Sequence, residues 1–195
     1  MTVAIVDSGV ANLSSVLAAL KRLNVEAQVT KDAASIRQAS HVVLPGVGSA
    51  PAAMDRLNAH NLADVIRALN QPVLGICLGM QILFSFSEEG EGCACLGVIP
   101  GGVKRLKPKD LPVPHMGWNE IEPRGEDPLF RGVARSYFYF VHSFAAPVGR
   151  HTIATCAYGK NFTAAARHDN FFGCQFHPER SSLAGAQVLK NFLEM

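Results

Sequence analysis

The chain has 195 residues, 48% of them hydrophobic, enough to bury one core of ordinary size and too apolar for a disordered chain. It carries 18 basic and 16 acidic residues, a net charge of +2, which gives no electrostatic case for nucleic acid or an anionic membrane as its main partner. No apolar stretch approaches the roughly 20 residues of a membrane span.

The N-terminal stretch MTVAIVDSG begins directly with a strand-like run and shows no basic leader. The five cysteines (Cys77, Cys93, Cys95, Cys156 and Cys174) are odd in number. Together these features predict free thiols in a reducing, cytoplasmic compartment. The Cys-Ala-Cys at 93–95 lacks a second cysteine pair or a matching histidine pair, so no metal is expected there.

The first half alternates strand and helix. Residues 2–7 are continuously apolar, as a strand buried on both faces should be. Residues 12–23 place Leu13, Val16, Leu17, Leu20 and Leu23 at helical spacing behind Asn12, a candidate N-cap. Strands are predicted at 25–30 and 41–46, and one helix or two short ones over 51–69. Residues 72–77 form a fourth strand that runs straight into a predicted helix over 78–86. This βαβα order predicts an α/β fold, a mostly parallel sheet with helices on both faces.

The second half reads as an antiparallel elaboration. Strands are expected over 98–106, 114–121, 137–144, 152–158, 162–168 and 171–177, with Asp169-Asn170 as a hairpin turn. Residues 181–195 close the chain as an amphipathic helix with Leu183, Ala186, Val188, Leu189, Phe192 and Leu193 on its apolar side. The loop Glu88–Gly92 reads as exposed, and Cys174 reads as core. With no linker or repeat, residues 1–195 are expected to make a single domain.

Three segments fall at predicted carboxyl ends of strands, where open parallel sheets bind ligands. The first is Gly75-Ile76-Cys77-Leu78-Gly79. A tight strand-to-helix turn pushes a nucleophile's side chain outward, and the N-terminus of the next helix favours a thiolate. The Leu78 N–H would face negative charge forming near Cys77. Alone, the pattern favours a packing cysteine. The second is Phe176-His177-Pro178-Glu179. An extended chain puts His177 and Glu179 on one face, so that base and orienter can meet. A surface turn is the plain alternative. The third, Pro45-Gly46-Val47-Gly48-Ser49-Ala50, is not a phosphate loop because no Gly-Lys-Ser/Thr follows. It is either an ordinary turn or a surface whose amides meet a substrate.

In combination these segments resemble the class I, triad-type glutamine amidotransferases, over essentially the whole chain. The resemblance implies that family's three-layer fold and a triad of Cys77, His177 and Glu179 acting through a cysteinyl thioester, with no cofactor. It also implies oxyanion and substrate contacts from Gly46, Val47, Gly48, Leu78 and Gln81, with Ser143 and Phe144 holding the α-carboxylate of L-glutamine. Within the family, PGVG, PHMGWNEI (114–121) and YFVHSF (139–144) are similar to the branch that forms a heterodimer with a (β/α)8-barrel cyclase of histidine biosynthesis. The lack of a fused synthase domain fits that branch. Asn12, Trp118, Asn119 and Arg180 are then expected at the partner interface. Ser8 and Ala11 stand where Tyr and Gly are frequent, and Arg180 stands where Lys is frequent. Arg keeps the charge and changes its geometry. Glutaminases of the pyridoxal phosphate, anthranilate and purine pathways, a cysteine hydrolase on the same scaffold, and a silent binding module remain alternatives.

Overall fold

The computed structural model describes residues 1–7 and 13–195. In chain order, β1 (Val3–Val6), α1 (Leu13–Arg22), β2 (Ala27–Thr30), α2 (Ala33–Gln38) and β3 (His41–Gly46) open the fold. They lead into α3 (Ala50–Ala59), α4 (Leu62–Arg67), β4 (Val73–Cys77) and α5 (Leu78–Leu83). The strands β5 (Phe84–Ser87), β6 (Cys93–Ala94), β7 (Ile99–Arg105), β8 (His115–Pro123), β9 (Ser136–His142) and β10 (Phe144–Ala145) follow. The chain ends with β11 (Thr152–Tyr158), β12 (Lys160–His168), β13 (Phe171–Cys174) and α6 (Ser182–Leu193).

Nine strands make one sheet in the order β2-β1-β3-β4-β13-β12-β11-β8-β9. The first five are parallel and the rest antiparallel, so the alternating half and the elaborated half share one continuous sheet. A smaller sheet, β10-β7-β5-β6, lies apart from it.

The continuous apolar runs follow from burial on both sheet faces. Along β1, Ala4 and Val6 pack into one core cluster while Val3 and Ile5 pack into the other. In β3, Val42 and Leu44 divide from Val43 in the same way. One cluster takes Leu57 of α3, Ile66 of α4 and Met80 of α5; the other takes Leu20 of α1 and Phe192 of α6.

Three local expectations need correction. The helix predicted over 78–86 stops at Leu83, and Phe84-Ser85-Phe86-Ser87 becomes β5. That Phe-Ser alternation has the two-residue period of a strand, and it overrides the helical reading of the run. The helix α2 was not expected. It is six residues long and buries Ile36 alone, so it has no apolar periodicity; its signal is the Asp32 cap, whose Oδ2 accepts from the Ser35 N–H at 2.7 Å. Leu183, expected on the docked side of α6, is 85% exposed, and Val188, Leu189, Phe192 and Leu193 carry the packing.

Candidate active site

Cys77 ends β4 and begins α5 with φ 53° and ψ −109°, a left-handed backbone that a side chain adopts only under constraint. The constraint is visible in the packing of α5 on its neighbours. A Cβ on Gly79 would lie 1.7 Å from the Leu44 carbonyl oxygen of β3, and one on Gly75 would lie 2.7 Å from the Gly79 carbonyl. The two glycines let the helix start directly against the strands, and Cys77 is the residue bent over the junction. Gly46 pairs with Cys77 across β3 and β4, which brings the PGVG loop to the same edge.

The last strand supplies the second group. After β13 the chain passes through Gln175 and Phe176 to His177, which is extended at φ −99° and ψ 95°. Pro178–Arg180 then form a short 3-10 turn. Turning of the chain, and not the strand alternation expected from the sequence, brings the two side chains together. His177 Nδ1 donates to Glu179 Oε1 at 2.8 Å, and both side chains are buried. The turn is fixed to β9: the His177 N–H donates to the Tyr139 carbonyl, and the Ser181 hydroxyl donates to the His177 carbonyl at 2.6 Å while accepting from the Tyr139 N–H.

Burial opposes the charged form of His177, but hydrogen bonding and charge from Cys77 and Glu179 outweigh it and hold the imidazole pKa up, at about 10. His177 Nε2 is buried on the side of the Cys77 sulfur, and Glu179 Oε2 is buried with no hydrogen-bond partner among the described residues. An imidazole nitrogen beside a thiol, in a wall that can admit a ligand, is suited to proton transfer.

A cavity of about 350 Å³ collects most of the expected residues. Val47, Gly48, Cys77, Leu78, Gln81, Ser143, Phe144 and His177 line it, with Glu89. Gly46 does not reach the wall; it is buried, where a Cβ would come within 3.0 Å of the Gly79 N and Leu78 Cβ. Gly48, at φ 93°, turns the loop over the cavity.

Gln81 projects from α5 and donates through Nε2 to the Phe144 carbonyl at 2.8 Å and to Gln175 Oε1 at 3.0 Å. A carbonyl only accepts, so the amide orientation is fixed, and Gln81 Oε1 is left for a ligand.

Glu89 was missed from the sequence, where 88–92 reads as an exposed loop. Its Oε2 accepts from the Ala50 N–H at 2.7 Å at the start of α3, which holds the carboxylate on the cavity wall. A loop glutamate has no local spacing to betray such a contact; only the fold brings it there.

A buried histidine pair adjoins the cavity, with His142 in its wall. His142 Nδ1 donates to the Phe144 carbonyl at 2.9 Å, so its Nε2 accepts from His115 Nδ1 at 3.0 Å, and His115 Nε2 accepts from Asn119 Nδ2 at 3.2 Å. Burial lowers the pKa of His142 to about 3 and that of His115 to about 4. Both rings therefore stay neutral while the unfolded chain takes up protons below about pH 6.5. The unfolded state then binds more protons, so stability falls as pH drops through that window, by up to about 1.4 kcal/mol per pH unit for each histidine. Urea midpoints should decline from pH 6.5 to pH 5, with both rings neutral by NMR; protonated rings in the folded chain at pH 5 would contradict this.

The four residues expected at a partner interface divide. Asn12 lies outside the described residues. Trp118 is 53% exposed on β8 and stands edge-on to Tyr139 at 6.2 Å. Arg180 is exposed at the end of the 3-10 turn, with Nη2 3.5 Å from the Ser15 hydroxyl of α1. Asn119 turns inward instead, donating to the Ala157 carbonyl at 3.0 Å as well as to His115, because the strand alternation that exposes Trp118 sends its neighbour to the other face.

The model of the family "glutamine amidotransferase class-I" matches residues 4–195. The chain belongs to the class-I glutamine amidotransferase family. This amidotransferase is 54% identical to the imidazole glycerol phosphate synthase subunit HisH of Salmonella typhimurium over the full length of both chains. It is 53% identical to the HisH subunit of Escherichia coli K12, again over all of both chains. Among solved structures, a putative GMP synthase subunit from Thermoplasma acidophilum superposes with a TM-score of 0.77 at 19% identity, covering 100% of this chain and 92% of that one. PurLQS of Thermotoga maritima superposes with a TM-score of 0.72 at 18% identity, covering 99% and 97%. At such identities the two structures speak for the shared fold alone. Among the described residues, no helix is long and apolar enough to cross a membrane.

Proposed function

We propose that the chain is the glutaminase subunit of an imidazole glycerol phosphate synthase, releasing ammonia from L-glutamine for a separate (β/α)8-barrel cyclase in histidine biosynthesis. The observation that carries this reading is Cys77 on its strained elbow in one cavity with His177, which Glu179 backs through Nδ1. Full-length identity to two HisH subunits supports the branch. We read residues 1–195 as one amidotransferase domain. Its five free cysteines suit a reducing cytoplasm.

The raised pKa of His177 favours imidazolium beside the Cys77 sulfur. The Cys77 sulfur attacks the glutamine amide carbon, and the carbonyl π electrons move to oxygen. The Leu78 N–H at the start of α5, with amides of Val47 and Gly48, faces that oxyanion. The tetrahedral carbon collapses, the C–N bond breaks, and His177 Nε2 gives its proton to the departing nitrogen. Neutral His177 then takes a proton from water as its oxygen attacks the thioester carbon. Collapse of this second intermediate breaks the C–S bond, releasing glutamate and restoring thiolate and imidazolium. Glu179 holds the ring and its charge throughout.

At the other end of the substrate, Glu89 and Gln81 Oε1 present negative and acceptor groups to the α-ammonium, and amides of Ser143 and Phe144 take the α-carboxylate. Glu89→Gln removes the charge and keeps the shape. It should raise KM for glutamine about 10-fold or more with a smaller change in kcat, by steady-state kinetics. An unchanged KM would take Glu89 out of the substrate site.

The partner surface is the outer face of β8 and β9, where Met116, Trp118 and Tyr137 are exposed beside Tyr139. Its edge adjoins the His177 turn, so ammonia leaves the nucleophile close to the docked protein. Ammonia release should rise strongly with a barrel cyclase and a nucleotide ligand for it. Release indifferent to that partner would keep the glutaminase and discard the pathway.

A further inference from the structure

Gln175 has no part in the scheme above, yet it is fully buried two residues before His177. Its side chain joins two elements of the cavity. Oε1 accepts from Gln81 Nε2 at 3.0 Å, and Nε2 donates to the Cys77 sulfur at 3.8 Å. The orientation is forced. The Phe144 carbonyl can only accept, so Gln81 presents N–H groups on that side, and Gln175 must answer with its oxygen. The Gln175 N–H groups are then left for sulfur. Beside the His177 ring, the thiol's remaining polar contact is the Val141 carbonyl at 3.8 Å, which accepts from a protonated thiol and has nothing to offer a thiolate.

We infer that Gln175 is a positioning residue that holds the Cys77 sulfur in its ionised form and locks it to Gln81, so that nucleophile and substrate-facing amide keep one geometry. The inference rests on the glutaminase reading for its kinetic consequence, though not for its effect on the thiol. An amide N–H directed at sulfur gains strength as charge builds there. A buried amide kept only for packing would gain nothing from ionisation. The chain of orientation starts at the Phe144 carbonyl, which also fixes His142, so Gln81, Gln175 and the histidine pair all take their direction from one acceptor.

The test is the pH profile of iodoacetamide alkylation at Cys77, followed by mass spectrometry of its peptide. Gln175→Met removes both bonds. Gln175→Glu keeps an acceptor for Gln81 and puts no amide donor on sulfur. Both variants should move the alkylation midpoint up by a pH unit or more, a tenfold slower reaction below it, and lower kcat about tenfold. Gln175→Met alone should also raise KM. Because a change at so buried a site can cost the variants their fold, the same question is put to the wild-type chain. The Gln175 side-chain amide resonance should shift as Cys77 ionises and stay still in Cys77→Ala. An unmoved midpoint in folded variants, or a silent resonance in the wild type, would overturn the inference. Alkylation needs no glutamine turnover, so a wild-type chain that releases no ammonia would sink the glutaminase reading and leave this test intact.

Discussion

Replacement of Cys77 by alanine is expected to lower ammonia release from glutamine by at least about 10⁴-fold, because no other group can form the thioester. Of the other thiols, Cys95, Cys156 and Cys174 are buried away from the cavity wall, and none of the four lines it. Burial pushes the Cys95 and Cys156 thiols up to about 12, and the Cys174 thiol upward as well, so these three are poor nucleophiles. Stability should change little, within about 1 kcal/mol, since alanine keeps the Cβ that the strained backbone already carries and the lost sulfur contacts are long. Glutamine turnover with the barrel partner and a urea titration measure the two effects. Undiminished turnover in a folded Cys77→Ala chain would remove the nucleophile from the account.

The second large effect is structural and lies two residues away. Gly79→Ala places a methyl group 1.7 Å from the Leu44 oxygen and 2.8 Å from its carbonyl carbon, both of them backbone in the middle of the sheet. Relief requires α5 to move off β3, which opens the packing of Met80, Ile82 and Leu83 in the core. A loss of about 4 kcal/mol or more is expected, enough to unfold a marginally stable chain. The measurement is the urea midpoint of the purified variant, with solubility on expression as the first sign. A wild-type midpoint would mean that α5 does not approach β3 as closely as described, and the elbow would lose its cause.

Much of this was legible in the chain because burial on two faces leaves a strong local mark. The strands β1, β3 and β4 read as unbroken apolar runs, and the glycines around Cys77 announced a tight junction. The His177–Glu179 contact was expected, though for the wrong reason: a 3-10 turn brings the pair together where strand alternation had been invoked. The short α2 escaped notice because one buried side chain makes no period. Glu89 and Gln175 escaped because each is defined by contacts with distant parts of the chain: Glu89 with Ala50, Gln175 with Cys77 and Gln81. Asn119 is expected at the partner interface with Trp118, but the two-residue period of β8 puts those neighbours on opposite faces. Strand order has no local signal at all, and the nine-stranded sheet supplies it.

The central claim is that Cys77 is the group that attacks glutamine. Its most direct measurement is inactivation by an electrophilic glutamine analogue, with the modified peptide located by mass spectrometry. The account predicts one label per chain, on Cys77 alone, appearing in step with the loss of ammonia release and slowed by glutamine. Loss of activity with Cys77 unlabelled, or labelling of another of the five cysteines at the same rate, would contradict it.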